Sequence, residues 1–146
     1  MEGGSRAPAE QVVRTLSGCF AARDVEGALP LLHEDFELWP QPTAERAGRA
    51  TPYRGHAGWR EYLADVERVW AEFSVDPNDL RVAGEGVICF GTARGRAHDG
   101  GPPLEQQVVW VIRLRAGRVV LCRVVRTAGE AEAVAAGRDP AGGAQA

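Results

Sequence analysis

Lysine is missing from this chain: all 17 basic residues are arginine. Without a side-chain amine there is no Schiff-base nucleophile and no phosphate-gripping loop lysine, which excludes two large classes of chemistry. An excess of positive charge is missing as well. The net charge of -3 and a pI near 5.6 leave no electrostatic footprint for nucleic acid, whose binding depends on neutralising phosphates. Cysteines are few and show no paired spacing; Cys19, Cys89 and Cys122 each sit in an apolar run, as small buried hydrophobes do. Neither they nor the three histidines have close metal-ligand spacing, so no metal site is expected. No apolar run approaches the ~18 residues of a membrane span, and no charged-then-apolar leader is visible, so the expectation is a cytoplasmic protein that does not enter a membrane. Phosphate loops, nucleophile elbows and dinucleotide fingerprints are also absent; Gly91 and Gly95 lie in a strand-like run, the wrong context for any of them. No residue pattern demands a cofactor.

What is present suits one domain. The 146 residues, 45% of them hydrophobic, are enough for a single core without disulfides or metal. Residues 1–8 and 137–146 are poor in large apolar side chains and are expected to be tails, leaving 9–136 as the domain. Val12, Val13, Leu16, Cys19 and Phe20 recur at three- and four-residue steps and predict a first helix. Asp24 is placed to cap a short second helix, which Pro30 confines. Residues 35–39 alternate with period two until Pro40 and Pro42 end the strand, and a polar loop follows over 41–55. A long amphipathic helix is predicted over 57–72, with Trp59, Leu63, Val66, Trp70 and Phe73 along one stripe. Strands are then expected at 73–75, 80–83, 87–97, 104–115 and 118–127, separated by turn signals at 76–79, 84–86, 99–103 and Ala116-Gly117. Gly91 and Gly95 within one strand point to bulges or strong curvature. The order predicts an α+β fold: a cone-shaped, curved, mixed or antiparallel sheet packed against three helices from the N-terminal half.

Three local patterns carry a family resemblance that spans about residues 9–136. They are Arg23-Asp24-Val25-Glu26-Gly27-Ala28-Leu29 between the first helices, Tyr53-Arg54-Gly55-His56-Ala57-Gly58 before the long helix, and Arg115-Ala116-Gly117-Arg118 before the last strand. In this order and spacing the chain resembles the nuclear transport factor 2-like superfamily, and within it the SnoaL-like proteins. The resemblance implies an α+β cone enclosing an apolar pocket, commonly as a homodimer through the sheet. It implies no single activity, because relatives include polyketide cyclases, ketosteroid isomerases, epoxide hydrolases, dehydratases and modules that only bind. Isomerase-like members carry a general-base carboxylate just before the proline that ends the first strand, where this chain has Trp39. Their second acid falls at Trp110 and their tyrosine donor near Leu16. No Asp or Glu lies between Leu38 and Gln41 or between Gln106 and Gly129, which argues against enolisation by a poised base and an oxyanion donor.

The expected pocket is therefore apolar and aromatic. Period two extended from Trp110 puts Gln106, Val108 and Ile112 on its face, with Cys122, Val124 and Arg126 on the next strand. Trp39, Trp59, Trp70, Phe90 and Leu16 complete a lining suited to a flat hydrophobic or aromatic ligand, with Gln106 and Arg126 as polar handles. For an enzyme, the candidate acid–base pair is Glu37 with His98, in a cofactor-independent cyclase, isomerase or dehydratase. The alternative is a dimeric interaction module whose indoles fill the pocket. His33 and His56 are expected to brace helix ends, and Arg113, Arg115, Arg118 and Arg123 to lie on the outer sheet surface.

Overall fold

The computed structural model of the chain describes residues 2–39, 43–84, 86–125 and 127–136. In chain order the elements are α1 (Glu2–Ala22), α2 (Val25–Ala28), β1 (Leu32–Trp39), α3 (Thr43–Arg46), β2 (Tyr53–Arg54), α4 (Gly55–Val69), β3 (Trp70–Ala83), β4 (Gly86–Ala97), β5 (Leu104–Arg115), β6 (Arg118–Val125) and α5 (Ala128–Ala135). The strands form one sheet in the order β2-β1-β6-β5-β4-β3, in which β1 and β6 run parallel and every other neighbouring pair is antiparallel.

Local chemistry explains most boundaries. Helix α1 ends at Arg23, whose φ of 56° lets Arg23 N and Asp24 N return to the carbonyls of Phe20 and Cys19 at 3.0 and 2.8 Å. This left-handed closure is costly for a residue with a Cβ, and the Arg23 side chain offsets it with bonds to Phe20 O at 2.6 Å and Phe73 O at 2.8 Å. Asp24 then caps α2, accepting from Gly27 N at 2.9 Å, as its position predicts. Pro30 sits in a 3-10 turn, Leu29–Leu31, which continues no α-helix. Both residues of the Ala116-Gly117 turn have positive φ, 54° and 78°, the geometry of a two-residue hairpin.

Several boundaries differ from expectation. Helix α1 reaches back to Glu2, since propagating a formed helix needs only one residue ordered per added bond; residues 137–146 lie outside the described residues. Within the 41–55 loop, Thr43–Arg46 is helical and Tyr53–Arg54 pairs with β1. Helix α4 stops at Val69 and β3 begins at Trp70, three residues before the expected strand start at Phe73; Trp70 pairs with Ala97 and Phe73 with Gly95. A three-residue apolar spacing fits a helix stripe, but here the ladder with β4 takes the backbone groups. The 76–79 signal is not a turn: β3 continues through it, and its register shifts between Pro77 and Asp79, so the proline sits at a bulge. Helix α5 is additional. Its Thr127 cap accepts from Glu130 N at 3.1 Å, and Thr-x-x-Glu at 127–130 is a capping signature readable in the sequence.

The sheet separates two apolar clusters. On its concave face α1 and α4 pack over Leu32, Phe36, Leu38, Val87, Cys89, Ala93, Ala97, Val108, Trp110, Ile112 and Val119. Behind it, Ala131, Val134 and Ala135 of α5 cover Ile88, Val111 and Val125. The concave positions of β4 after Val87 are Cys89, Gly91, Ala93, Gly95 and Ala97, all small, and indoles occupy the space left over them. A Cβ on Gly91 would meet Asp76 O and lie 2.9 Å from the Trp110 ring, and one on Gly95 would lie 2.8 Å from Trp70.

Gly91→Ala should therefore lower the unfolding free energy in urea by about 1–3 kcal/mol through overpacking. Gly18→Ala, in the middle of α1 with nothing within 4 Å, should raise it by about 0.5–1 kcal/mol. Equal effects of the two substitutions would contradict the close approach of Asp76 O and the Trp110 ring to the β4 backbone at Gly91.

Candidate functional site

Between the helices and the concave face lies a partly open cavity of about 110 Å³. Helix α1 contributes Val13, Leu16, Ser17 and Phe20, placed by its three- and four-residue spacing; α4 contributes Trp59 and Tyr62. The sheet supplies Leu38 from β1, Phe73 and Val75 from β3, Ala93 from β4, Val108, Trp110 and Ile112 from β5, and Cys122 and Val124 from β6. Ser17, Phe20, Phe73, Val75, Cys122 and Val124 are half-buried and form the rim, while the others are buried. At roughly 10–15 Å³ per water by the same measure, the space holds several waters or one small fused-ring molecule.

The wall contains no carboxylate, imidazole or guanidinium among the described residues. Its titratable groups are Tyr62 and Cys122. Burial raises the Tyr62 phenol well above its ordinary value, reinforced by Cys122 and Tyr53 and opposed by Arg23 and a hydrogen bond with Thr43. Burial pushes the Cys122 thiol up to about 12. Both are neutral at physiological pH, so the wall offers hydrogen-bond donors and no base. The rings of Phe20 and Tyr62 stack at 5.6 Å, and Trp59 leans on Phe20 at 6.4 Å and on Tyr62 at 6.1 Å, so the aromatic part of the wall is braced from behind.

Of the expected pocket residues, Leu16, Trp59, Val108, Trp110, Ile112, Cys122 and Val124 line this cavity. Trp39 does not: it faces the back of the sheet with Glu37, where its Nε1 donates to Glu37 Oε1 at 3.2 Å and Arg123 lies over its ring at 4.7 Å. The facing of β1 is set by Leu32, Phe36 and Leu38, which are all buried on the concave side; the acid between Phe36 and Leu38 is the signal for this parity. Phe90 is also on the back face, packed against the α5 cluster with Arg81 over its ring at 4.6 Å. Trp70 is buried beside the cavity, stacked on Phe73 at 5.0 Å, with its Nε1 donating to Thr43 Oγ1 at 3.0 Å. Gln106 shares the strand parity of Val108 but is exposed, and Arg126 lies outside the described residues. Val13, Ser17, Phe20, Leu38, Tyr62, Phe73, Val75 and Ala93 join the lining unanticipated; the helical members follow from the same spacing that defines α1 and α4.

The expected acid–base pair is not assembled. Glu37 sits in a back-face depression of about 340 Å³ with Asp35, Trp39, Arg113, Arg115 and Arg123, and pairs with Arg54 at 3.3 Å. His98 is exposed at the end of β4 and bonds the Glu67 carbonyl at 2.9 Å. A sheet layer separates Glu37 from the cavity, and neither group lines it. His56 braces the start of α4 by bonding Leu32 O at 3.0 Å, and Tyr53 donates to Asp65 at 2.7 Å; the glycine-bearing segment at the start of α4 is thus a structural clasp. No group of three or more metal-ligating side chains converges among the described residues, and no described helix is long and apolar enough to cross a membrane.

The sequence pattern of the SnoaL-like domain matches residues 12–122. No curated protein matches the chain. Among solved structures, an NTF2-like protein of unknown function from Burkholderia pseudomallei is 25% identical with a TM-score of 0.72, the match covering 84% of this chain and 93% of that one. TerC, co-crystallised with polyporic acid, is also 25% identical with a TM-score of 0.72, over 82% of this chain and 92% of its own. IdmH, a putative polyketide cyclase from Streptomyces antibioticus, shares the fold at 23% identity and a TM-score of 0.64, over 80% of this chain and 90% of that one.

The raised thiol has a signed consequence. A folded-state value of about 12 against the ordinary 9.0 for Cys122 contributes stability that is whole below pH 9 and is lost as pH rises toward 12. The urea midpoint should therefore fall across that window, and fall less in Cys122→Ala; an identical decline in both proteins would remove this role for the thiol.

Proposed function

We propose that this chain, which belongs to the SnoaL-like domain family and has the NTF2-like α+β fold, binds a small, flat, largely apolar or aromatic molecule between α1, α4 and the concave sheet. The observation that carries this reading is the wall itself: aromatic and aliphatic side chains from seven elements converge on one cavity, and its hydroxyl, thiol and indole groups are neutral donors. Apolar lining with a few polar groups is the usual build of a small-molecule site. The similar TerC structure, co-crystallised with polyporic acid, supports an organic ligand in a protein of this shape.

Binding is favoured over proton-transfer catalysis. General-base chemistry needs a group that accepts a proton near neutrality within hydrogen-bond reach of the substrate. The described wall provides none, and Glu37 is engaged by Trp39 and Arg54 behind the sheet. The likeness to IdmH, at 23% identity, carries the fold and does not supply the missing base.

Titration with a fused-ring aromatic such as naphthalene should give saturable quenching of tryptophan emission, because Trp59 and Trp110 face the site. Ala93→Leu, which extends a buried small side chain into the cavity, should weaken binding at least tenfold while leaving thermal unfolding cooperative. Glu37→Gln and His98→Asn should leave the affinity unchanged. Absence of saturable quenching, or undiminished affinity in Ala93→Leu, would reject this site.

A further inference from the structure

The geometry points to a second binding site in the depression behind the sheet, for a small organic carboxylate. Its anionic end meets Arg115 and Arg113, and its apolar body rests on Leu121 beside Trp39. The site stands apart from the cavity in front. Strand register explains why a hollow forms here. Glu37 of β1 lies beside Leu121 of β6, which lies beside Arg113 of β5; in the next row Trp39 lies beside Arg123. A short aliphatic side chain is thus flanked by longer ones, and the space reaches about 340 Å³, against about 110 Å³ in front.

Charge balance in this hollow favours an anion. Arg113, Arg115 and Arg123 line it with Asp35 and Glu37, and Arg54 pairs with Glu37 at 3.3 Å. Four guanidinium groups against two carboxylates leave an excess of two positive charges, in a chain whose net charge is -3. Glu37 is already engaged, its oxygens accepting from Trp39 Nε1 at 3.2 Å and from Arg54 Nε at 3.3 Å. The lining arginines are graded in depth. Arg115 is at the mouth with 61% of its side chain exposed, and Arg113, two residues back on the same face of β5, is half-buried. Arg123 is only 8% exposed, its guanidinium 4.7 Å from the centre of the Trp39 ring. Like charges around a concave surface add their fields inside it, and a planar guanidinium matches a carboxylate with two parallel hydrogen bonds. Asp35 holds Arg115 through one contact of 3.5 Å between exposed groups. Ion pairs of that kind contribute little, so an incoming carboxylate replaces this one at small cost.

Benzoate and its neutral counterpart benzamide are the probes, followed by calorimetry at low salt. Benzoate should bind saturably, and benzamide at least about tenfold more weakly. Arg115→Gln should weaken benzoate about tenfold and leave the affinity for naphthalene unchanged. In the wild type, the Trp39 indole N–H resonance should shift with benzoate while those of Trp59 and Trp110 stay in place, a readout that needs no variant. No binding of benzoate at millimolar concentration, equal affinity for benzamide, or shifts at Trp59 and Trp110 in place of Trp39 overturns the site. Displacement of benzoate by an equal concentration of inorganic phosphate reveals general anion attraction only, and overturns the organic carboxylate. Loss of naphthalene binding concerns the cavity in front and leaves benzoate binding intact, so the two readings fail separately.

Discussion

The cavity depends on a packing constraint between one strand and two indoles. Along β4 the concave side chains after Val87 never exceed a cysteine in size, and Trp110 and Trp70 lie directly against the backbone at Gly91 and Gly95. Large rings over bare backbone let the sheet curve toward the helices without closing on them. The bulge in β3 sits opposite the same stretch, where Pro77 pairs with Gly91 and the register then shifts. Bulges increase local twist and bend the strand that carries them. Curvature, indole placement and the hollow under α1 and α4 are therefore parts of one arrangement.

The same sheet keeps its chemistries apart. Its concave side carries neutral, apolar groups around the cavity, while the back side carries the α5 contact and the charged set of Asp35, Glu37, Arg113, Arg115 and Arg123. Carboxylates placed behind the sheet cannot act on a molecule bound in front of it. The residues of the glycine-bearing segment at the start of α4 serve geometry: His56 bonds Leu32 O, Tyr53 bonds Asp65, and Gly58 lets the helix approach Tyr53, where a Cβ would come within 2.7 Å of its carbonyl carbon. Shared sequence features here describe how the scaffold is fastened.

Much of the fold was legible in the sequence because its signals are local. The period of 3.6 in α1, the Asp24 cap, the Ala116-Gly117 turn and the bounds of β5 all come from neighbouring residues and recur in the structure. Misreadings arose where the outcome depends on a partner. Trp70 fits a helical stripe until β4 is present to pair with it. The Asp-Pro-Asn-Asp run reads as a turn unless the neighbouring strand holds it extended. For the site, Val108, Trp110 and Ile112 of β5 and Cys122 and Val124 of β6 lie along the cavity because their apolar positions share one face, whereas Gln106 is exposed and Arg126 lies outside the described residues. Strand β1 offers Phe36 and Leu38 on one side and Trp39 on the other, and following the indole gave the wrong side. Phe90 was misplaced for lack of α5, which creates a second apolar environment behind the sheet.

Arg23 has a further bearing on the cavity rim. One guanidinium holds the carbonyls of Phe20 and Phe73, spans to Glu67 on α4 and covers the Phe20 ring at 4.5 Å. The rings of Phe20 and Phe73 meet edge to face, 6.1 Å apart. Any widening at that edge must release several contacts of a single side chain together. Displacing either ring therefore also disturbs the left-handed turn that ends α1, so the edge of the hollow and the end of that helix share one fastening.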